Sequence, residues 1–303
     1  MTGSPMELEH RYADVNGIRL HYVSCGAANQ PLMLFVHGFP EFWYAWHDQL
    51  REFSRGYHAV ALDMRGFNLS DKPADVKAYR AKYLVEDLRQ LIPALGHQSC
   101  ILVAHDWGGA AAWNLAADHP ELVDKLVIIN SPHPVAFARA LRDDPGQIAA
   151  SQYMRLFREP KAERVLSANN FQRLAVIFEQ MGDGRSALTP AQQALYREAW
   201  AQPGALTGGL NYYRASPLYP PSPDRTGDPG AAALNLDPAM FTVRVPTLIL
   251  WGERDNALLP VLLDGIEEVV PDVRIQRIPA GSHWVVHEFP DVVNRAIRDF
   301  SQS

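Results

Sequence analysis

The sequence predicts an α/β protein: a mostly parallel, twisted sheet with helices on both faces and a helical lid inserted between two of its strands. Three observations carry this expectation. Short apolar runs alternate with helical patterns up to residue 130 and again from residue 245, the rhythm of parallel strands joined by crossover helices. Between 131 and 244 the rhythm stops, and the chain is helix-rich with no convincing core strand. The apolar run Ile101-Leu102-Val103-Ala104 passes straight through His105-Asp106-Trp107-Gly108-Gly109 into an Ala-rich helical stretch, a sharp strand-to-helix turn.

The elements follow in order. Residues 11–14 and 18–23 flank Asn16-Gly17, a strong hairpin signal. Residues 31–36 form a buried strand that runs into His37-Gly38-Phe39-Pro40, and 57–63 form another that leads into Arg65-Gly66-Phe67-Asn68-Leu69-Ser70. A helical stretch over 83–95 precedes the strand at 101. Residues 125–130, 247–251 and 273–278 complete the strands. The insert contains a Pro/Gly/Asp-rich run at 217–230. The expected organisation is therefore core (1–130), helical lid (131–244) and core again (245–303). No internal repeat is present.

Composition narrows the partners. The chain has 303 residues, 47% of them hydrophobic and 20% charged, with a formal net charge of −6, so there is no basic footprint for nucleic acid. No apolar stretch reaches the length of a membrane span, and residues 1–14 lack the basic and apolar regions of a secretory signal. Cys25 and Cys100 are the only cysteines, too few for a disulfide framework or a zinc site. The expectation is a cytoplasmic protein that needs no metal or organic cofactor and binds neither nucleic acid nor membrane, with a homodimer left open.

Chemistry concentrates at Asp106. Small residues on both sides, Ala104 and Gly108, suit a strained turn that lifts one side chain above the sheet edge. Taken alone, Asp106 also reads as a helix cap. As a nucleophile it differs from the more usual serine. Serine attacking a saturated carbon would leave an ether that water cannot release, whereas a carboxylate leaves an ester that water can hydrolyse.

Four motifs in order make the chain resemble the α/β-hydrolase fold and, within it, the epoxide hydrolases. They are His37-Gly38-Phe39-Pro40-Glu41-Phe42-Trp43-Tyr44-Ala45-Trp46, His105-Asp106-Trp107-Gly108-Gly109, Asn211-Tyr212-Tyr213-Arg214 and Gly281-Ser282-His283-Trp284. The resemblance implies Asp255 as the acid and His283 as the base, both on loops beside Asp106. Glu253 is a rival acid and His287 a rival base. The His283/His287 spacing lacks the glutamate of a zinc-protease motif. Some relatives carry the acid one strand earlier, where this chain has Asn130, which cannot balance an imidazolium as a carboxylate would. The resemblance further implies backbone N–H groups of Phe39 and Trp107 as oxyanion-hole donors, with a cis bond before Pro40 common in the family. Tyr153 and Tyr213 are implied as the lid tyrosines that hold the epoxide oxygen. One departure is Asn68, where glycine is usual; asparagine tolerates positive φ better than most residues. Asp63, Arg65, Ser70 and His105 are expected to be structural.

The implied reaction converts an apolar epoxide and water to a vicinal diol through a hydroxyalkyl ester on Asp106. Phe42, Met154 and Leu156 are expected to line an apolar pocket. The alternative is a haloalkane or haloacid dehalogenase using the same nucleophile. Against it, Phe39 stands where a halide-binding asparagine is typical, and Trp107, Ala110 and Ala111 stand where fluoroacetate dehalogenases carry arginines. Serine esterase chemistry lacks its serine. A ligand receptor with an idle triad is the remote, non-enzymatic option, and such receptors usually keep serine at the turn.

Overall fold

The computed structural model describes residues 7–182, 184, 187–223 and 227–303; residues 1–6 of the N-terminal segment and 224–226 of the run at 217–230 lie outside these. Its strands are β1 (Glu9–Val15), β2 (Ile18–Cys25), β3 (Leu32–Val36), β4 (His58–Leu62), β5 (Cys100–His105), β6 (Val123–Ile129), β7 (Thr247–Gly252) and β8 (Val273–Ile278). They form one sheet in the order β1-β2-β4-β3-β5-β6-β7-β8. The pairs β1/β2 and β2/β4 are antiparallel, and every other pair is parallel.

Sequence explains this order. The central strands β3, β4, β5 and β7 are buried along their whole length, and strands covered on both faces read as unbroken apolar runs. The edge strand β8 exposes Arg274, Gln276 and Arg277, polar residues that discourage a further strand from adding to it. The β1–β2 hairpin turns at Asn16 and Gly17, both with positive φ (49° and 72°), as a tight primed turn requires. Asn68 likewise takes φ of 39° and donates its amide to Asp63 Oδ2 at 2.8 Å.

Twelve α-helices accompany the sheet among the described residues. They are α1 (His47–Phe53), α2 (Ala81–Ala94), α3 (Asp106–Asp118), α4 (Pro134–Asp143), α5 (Pro145–Ala150), α6 (Tyr153–Arg158), α7 (Ala162–Ala175), α8 (Ile177–Gln180), α9 (Pro190–Trp200), α10 (Ala205–Ala215), α11 (Val285–Glu288) and α12 (Pro290–Ser301). On one face, Leu50 and Phe53 of α1 and Val293, Ile297 and Phe300 of α12 pack on Phe35, Val103 and Ile129. On the other, α2, α3 and the helices between β6 and β7 share a second apolar cluster. That intervening segment, α4 to α10, holds no strand among the described residues. Its helix α7 breaks in the middle, with Asn169, Asn170 and Phe171 at positive φ (52°, 54° and 60°). Among the described residues no helix is long and apolar enough to cross a membrane.

Candidate active site

The turn from β5 into α3 sets the centre of the site. Asp106 has φ of 50°, a conformation that a non-glycine residue holds only when its surroundings enforce it. Enforcement comes from two sides. Gly108 lies so close to β3 that a Cβ there would collide with the Val36 carbonyl. The Ser131 hydroxyl, just past β6, donates to the Asp106 carbonyl at 2.7 Å.

Loops at the carboxyl ends of neighbouring parallel strands converge on this side chain, where open α/β sheets gather their functional groups. The two carboxylate oxygens of Asp106 face different partners. Oδ1 accepts the Phe39 N–H at 2.8 Å, from the loop after β3, and the Phe39-Pro40 bond is cis. Trp107, second in α3, belongs to the first helical turn, whose N–H groups have no acceptor within the helix. Oδ2 lies 3.9 Å from His283 Nε2. His283 Nδ1–H in turn donates to Asp255 Oδ2 at 2.7 Å. The His283 side chain is 2% exposed and that of Asp255 is fully buried.

Asp255 is held by more than the histidine. Its Oδ1 accepts the N–H groups of Ala257 and Leu258, each at 2.8 Å. Its Oδ2 also accepts from Asn130 Nδ2 at 2.8 Å. Asn130, at the end of β6, further receives the Gly252 N–H at 2.8 Å, so it ties the acid's loop to the neighbouring strand. Burial disfavours the charged form of His283, but Asp255, by charge and hydrogen bond, and then Asp106 and Glu41 outweigh it and raise its pKa to about 9.

Tyr153 opens α6 and Tyr213 lies in α10; their rings are 6.2 Å apart. Tyr213 stands edge-on to Trp107 at 5.1 Å and to Phe39 at 5.3 Å. Burial, reinforced for both by Asp106, holds the two phenols well above their ordinary pKa, so each stays a neutral O–H donor. Adjacent Tyr212 anchors α10 by donating its hydroxyl to the Arg65 carbonyl at 2.8 Å. Glycine inside a helix costs about 1 kcal/mol, yet α10 carries Gly208 because a Cβ there would strike the Gly66 carbonyl. That close approach brings Tyr213 down onto the site.

A cavity of about 600 Å³ opens from Asp106, walled by Trp107, Phe137, Met154, Tyr212, Leu218 and Phe241 among others. A second, of about 590 Å³, lies beyond the Tyr153 ring and is lined in part by Leu156, Asn169 and Asn256. Tyr153 borders both, so its ring is half-buried. Of the expected pocket residues, Met154 lines the first cavity and Leu156 the second. Phe42 lines neither: it is buried against Tyr196, with ring centres 5.0 Å apart.

The rivals take other partners. Glu253 accepts from Arg277 at 3.2 Å near the surface. His287 Nε2–H donates to Glu41 Oε1 at 2.6 Å. Glu41 is the group that sequence reasoning left unassigned. It is 2% exposed, and it also accepts the Tyr196 hydroxyl of α9 at 3.0 Å. His105 Nδ1 lies 3.0 Å from Glu41 Oε2, and its Nε2 lies 2.9 Å from the His283 carbonyl. Burial alone would raise the Glu41 pKa, but His287 and His105 hold it well below the usual carboxylate range. The signal available was the Glu41 that follows Pro40 in the first motif.

Comparison with known proteins agrees with this geometry. The family model described as the alpha/beta hydrolase fold matches residues 31–290. Epoxide hydrolase 3 of Xenopus tropicalis is 40% identical over 294 residues, covering 94% of this chain and 75% of that protein. Epoxide hydrolase 4 of Mus musculus is 38% identical over 292 residues, covering 94% of this chain and 77% of that protein. The crystal structure of the Bacillus megaterium epoxide hydrolase in complex with an inhibitor superposes with a TM-score of 0.87 at 38% identity, over 97% of this chain and 100% of that one. A carboxylate on a strained turn, a His–Asp pair behind it and two neutral tyrosines beside it thus accompany whole-chain similarity, and the chain belongs to the alpha/beta hydrolase fold family, among its epoxide hydrolases.

Proposed function

We propose that the protein hydrolyses apolar epoxides to vicinal diols through an ester on Asp106. The observation that carries this reading is the split between the Asp106 oxygens: Phe39 N–H on Oδ1 at 2.8 Å and His283 3.9 Å from Oδ2. Oδ2 attacks a ring carbon while the ring C–O bond breaks and Tyr153 and Tyr213 hydrogen-bond the departing oxygen. Oδ1 becomes the ester carbonyl, already beside the donors that will hold its oxyanion. Before attack, the Asp106 charge helps to keep His283 protonated. Ester formation removes that charge and lowers the pKa of His283. The proton it gives up replaces the one that a tyrosine passes to the ring oxygen, which leaves the hydroxyalkyl ester, intact tyrosines and a neutral His283 ready to act as a base. His283, oriented and balanced by Asp255, then takes a proton from water, and the resulting hydroxide attacks the ester carbonyl. Collapse frees the diol and restores Asp106.

Residues 131–244 act as the lid that supplies the tyrosines and closes the apolar cavity over the substrate. A cytoplasmic location is supported by Cys25 and Cys100, both buried and unpaired. The reading is tested by diol formation from styrene oxide, with halide release from a chloroalkane as the control. Diol without halide is expected, and Tyr153→Phe or Tyr213→Phe should each slow ring opening by about 10²-fold, the usual loss for one donor to a developing oxyanion. Halide without diol would assign the nucleophile to dehalogenation instead.

A further inference from the structure

Just past β6 the chain presents a hydroxyl to the turn that carries Asp106. Ser131 is 1% exposed, and its Oγ–H donates to the Asp106 carbonyl at 2.7 Å, its one hydrogen bond among the described residues. The frame behind it is fixed. Trp113 of α3 donates its Nε1–H to the Ser131 carbonyl at 3.2 Å. The Asn130 N–H donates to the Leu250 carbonyl at 3.1 Å, and Asn130 Oδ1 accepts the Gly252 N–H at 2.8 Å. The facing helix leaves room for the hydroxyl. Alanine would favour α3 over Gly109, but a Cβ at Gly109 would lie 2.3 Å from Ser131 Oγ.

The carbonyl that Ser131 holds belongs to the same peptide as the Trp107 N–H. That peptide is trans, so its N–H points opposite to its C=O, and pinning one end aims the other. The bond also polarises the peptide, because hydrogen bonds linked in a chain strengthen one another. We propose that Ser131 is a positioning residue of the oxyanion hole: through the Asp106–Trp107 peptide it aims and strengthens the Trp107 N–H for hydrolysis of the ester. This rests on the epoxide-hydrolase reading and divides its two steps. In ring opening the Asp106 carboxylate loses negative charge, so donors on Oδ1 give the attack no help. In ester hydrolysis the same oxygen becomes an oxyanion, and the donors stabilise it. Loss of the hydroxyl therefore acts on the second step alone. Removing a whole donor costs about 10²–10³ in rate, but here the N–H stays in place, so hydrolysis should slow about tenfold. A hydroxyl that merely braced the strained turn would act differently: its loss would displace Oδ2 and slow ring opening as well.

The test is a rapid-quench single turnover of styrene oxide by the full-length native protein, Ser131→Ala and Ser131→Cys. Loss of epoxide reads ring opening, and the intact mass of the quenched protein reads the ester. Both variants should consume epoxide at the native rate and hold the ester about tenfold longer. Cysteine fills the space of serine with a weak donor, so its agreement with alanine assigns the effect to the hydrogen bond and not to lost volume. Slowed loss of epoxide in Ser131→Ala, or hydrolysis of its ester at the native rate, overturns the inference. Native behaviour of Ser131→Cys beside a defective Ser131→Ala overturns it too, as does loss of the fold in both variants. Epoxide consumed by native and variant proteins with no ester mass on any of them overturns the ester reading itself.

Discussion

At the scale of single residues, the polar groups of the site are held by fixed partners. Asp255 spends both oxygens on fixed donors, so His283 cannot rotate away from it, and Asp106 presents Oδ2 with Oδ1 already held. The histidine gives a direct check. Its pKa in the folded protein, about 9, lies above its ordinary value of 6.5. The pairing with Asp255 and Asp106 therefore stabilises the fold fully below pH 6.5, and that contribution is lost as pH rises through about 9. Denaturant unfolding of the native protein and of His283→Gln should show a stability gap that narrows across that window; a gap that widens with pH would contradict the pairing. Most of these residues were legible because they sit in short motifs. Asn130 was not legible as a support, since its bond to Asp255 spans 125 positions in the chain and leaves no local pattern. Phe42 was misplaced because adjacency to a motif does not say which way a ring points.

At the scale of elements, glycines decide how closely backbones meet. The β5–α3 turn needs Gly108 against β3, and α10 needs Gly208 against the loop after β4. Gly208→Ala should push α10 outward and carry Tyr213 with it. The alanine itself favours a helix, so a merely local effect would leave activity intact or raise stability. The expected result is the opposite: kcat falls by about 10-fold or more, as misplacing a catalytic group by an ångström does, while far-ultraviolet circular dichroism is retained. The central strands β3, β4, β5 and β7 were legible to within a residue or two from their apolar runs, which double-sided burial demands, and β1 from the Asn16-Gly17 turn that follows it. The break in α7 at residues 168–171 was not: Asn169 and Asn170 tolerate positive φ, but Phe171 at 60° gives no such signal in the sequence.

At the scale of the whole molecule, the sheet and the segment inserted after β6 meet at a buried polar junction. Glu41 from the β3 loop receives Tyr196 from α9 and His287 from α11, and through His105 it reaches the carbonyl of His283. Removing one charge from such a cluster leaves its partners uncompensated, which costs about 3–5 kcal/mol. Glu41→Gln keeps the shape and some bonds, so a loss of about 2–4 kcal/mol is expected by urea unfolding, together with a lower kcat; unchanged stability would show that the junction is not charged. Its members lie far apart in sequence, so the first motif exposed only one of them. The ester on Asp106 is put to the test by a single turnover of styrene oxide in ¹⁸O-enriched water followed by peptide mass spectrometry. Label is expected in the peptide that carries Asp106 and unlabelled oxygen in the diol, because water attacks the ester carbonyl and the carboxylate oxygen leaves with the product. Label in the diol with an unlabelled Asp106 peptide would mean direct attack of water on the epoxide and would contradict it.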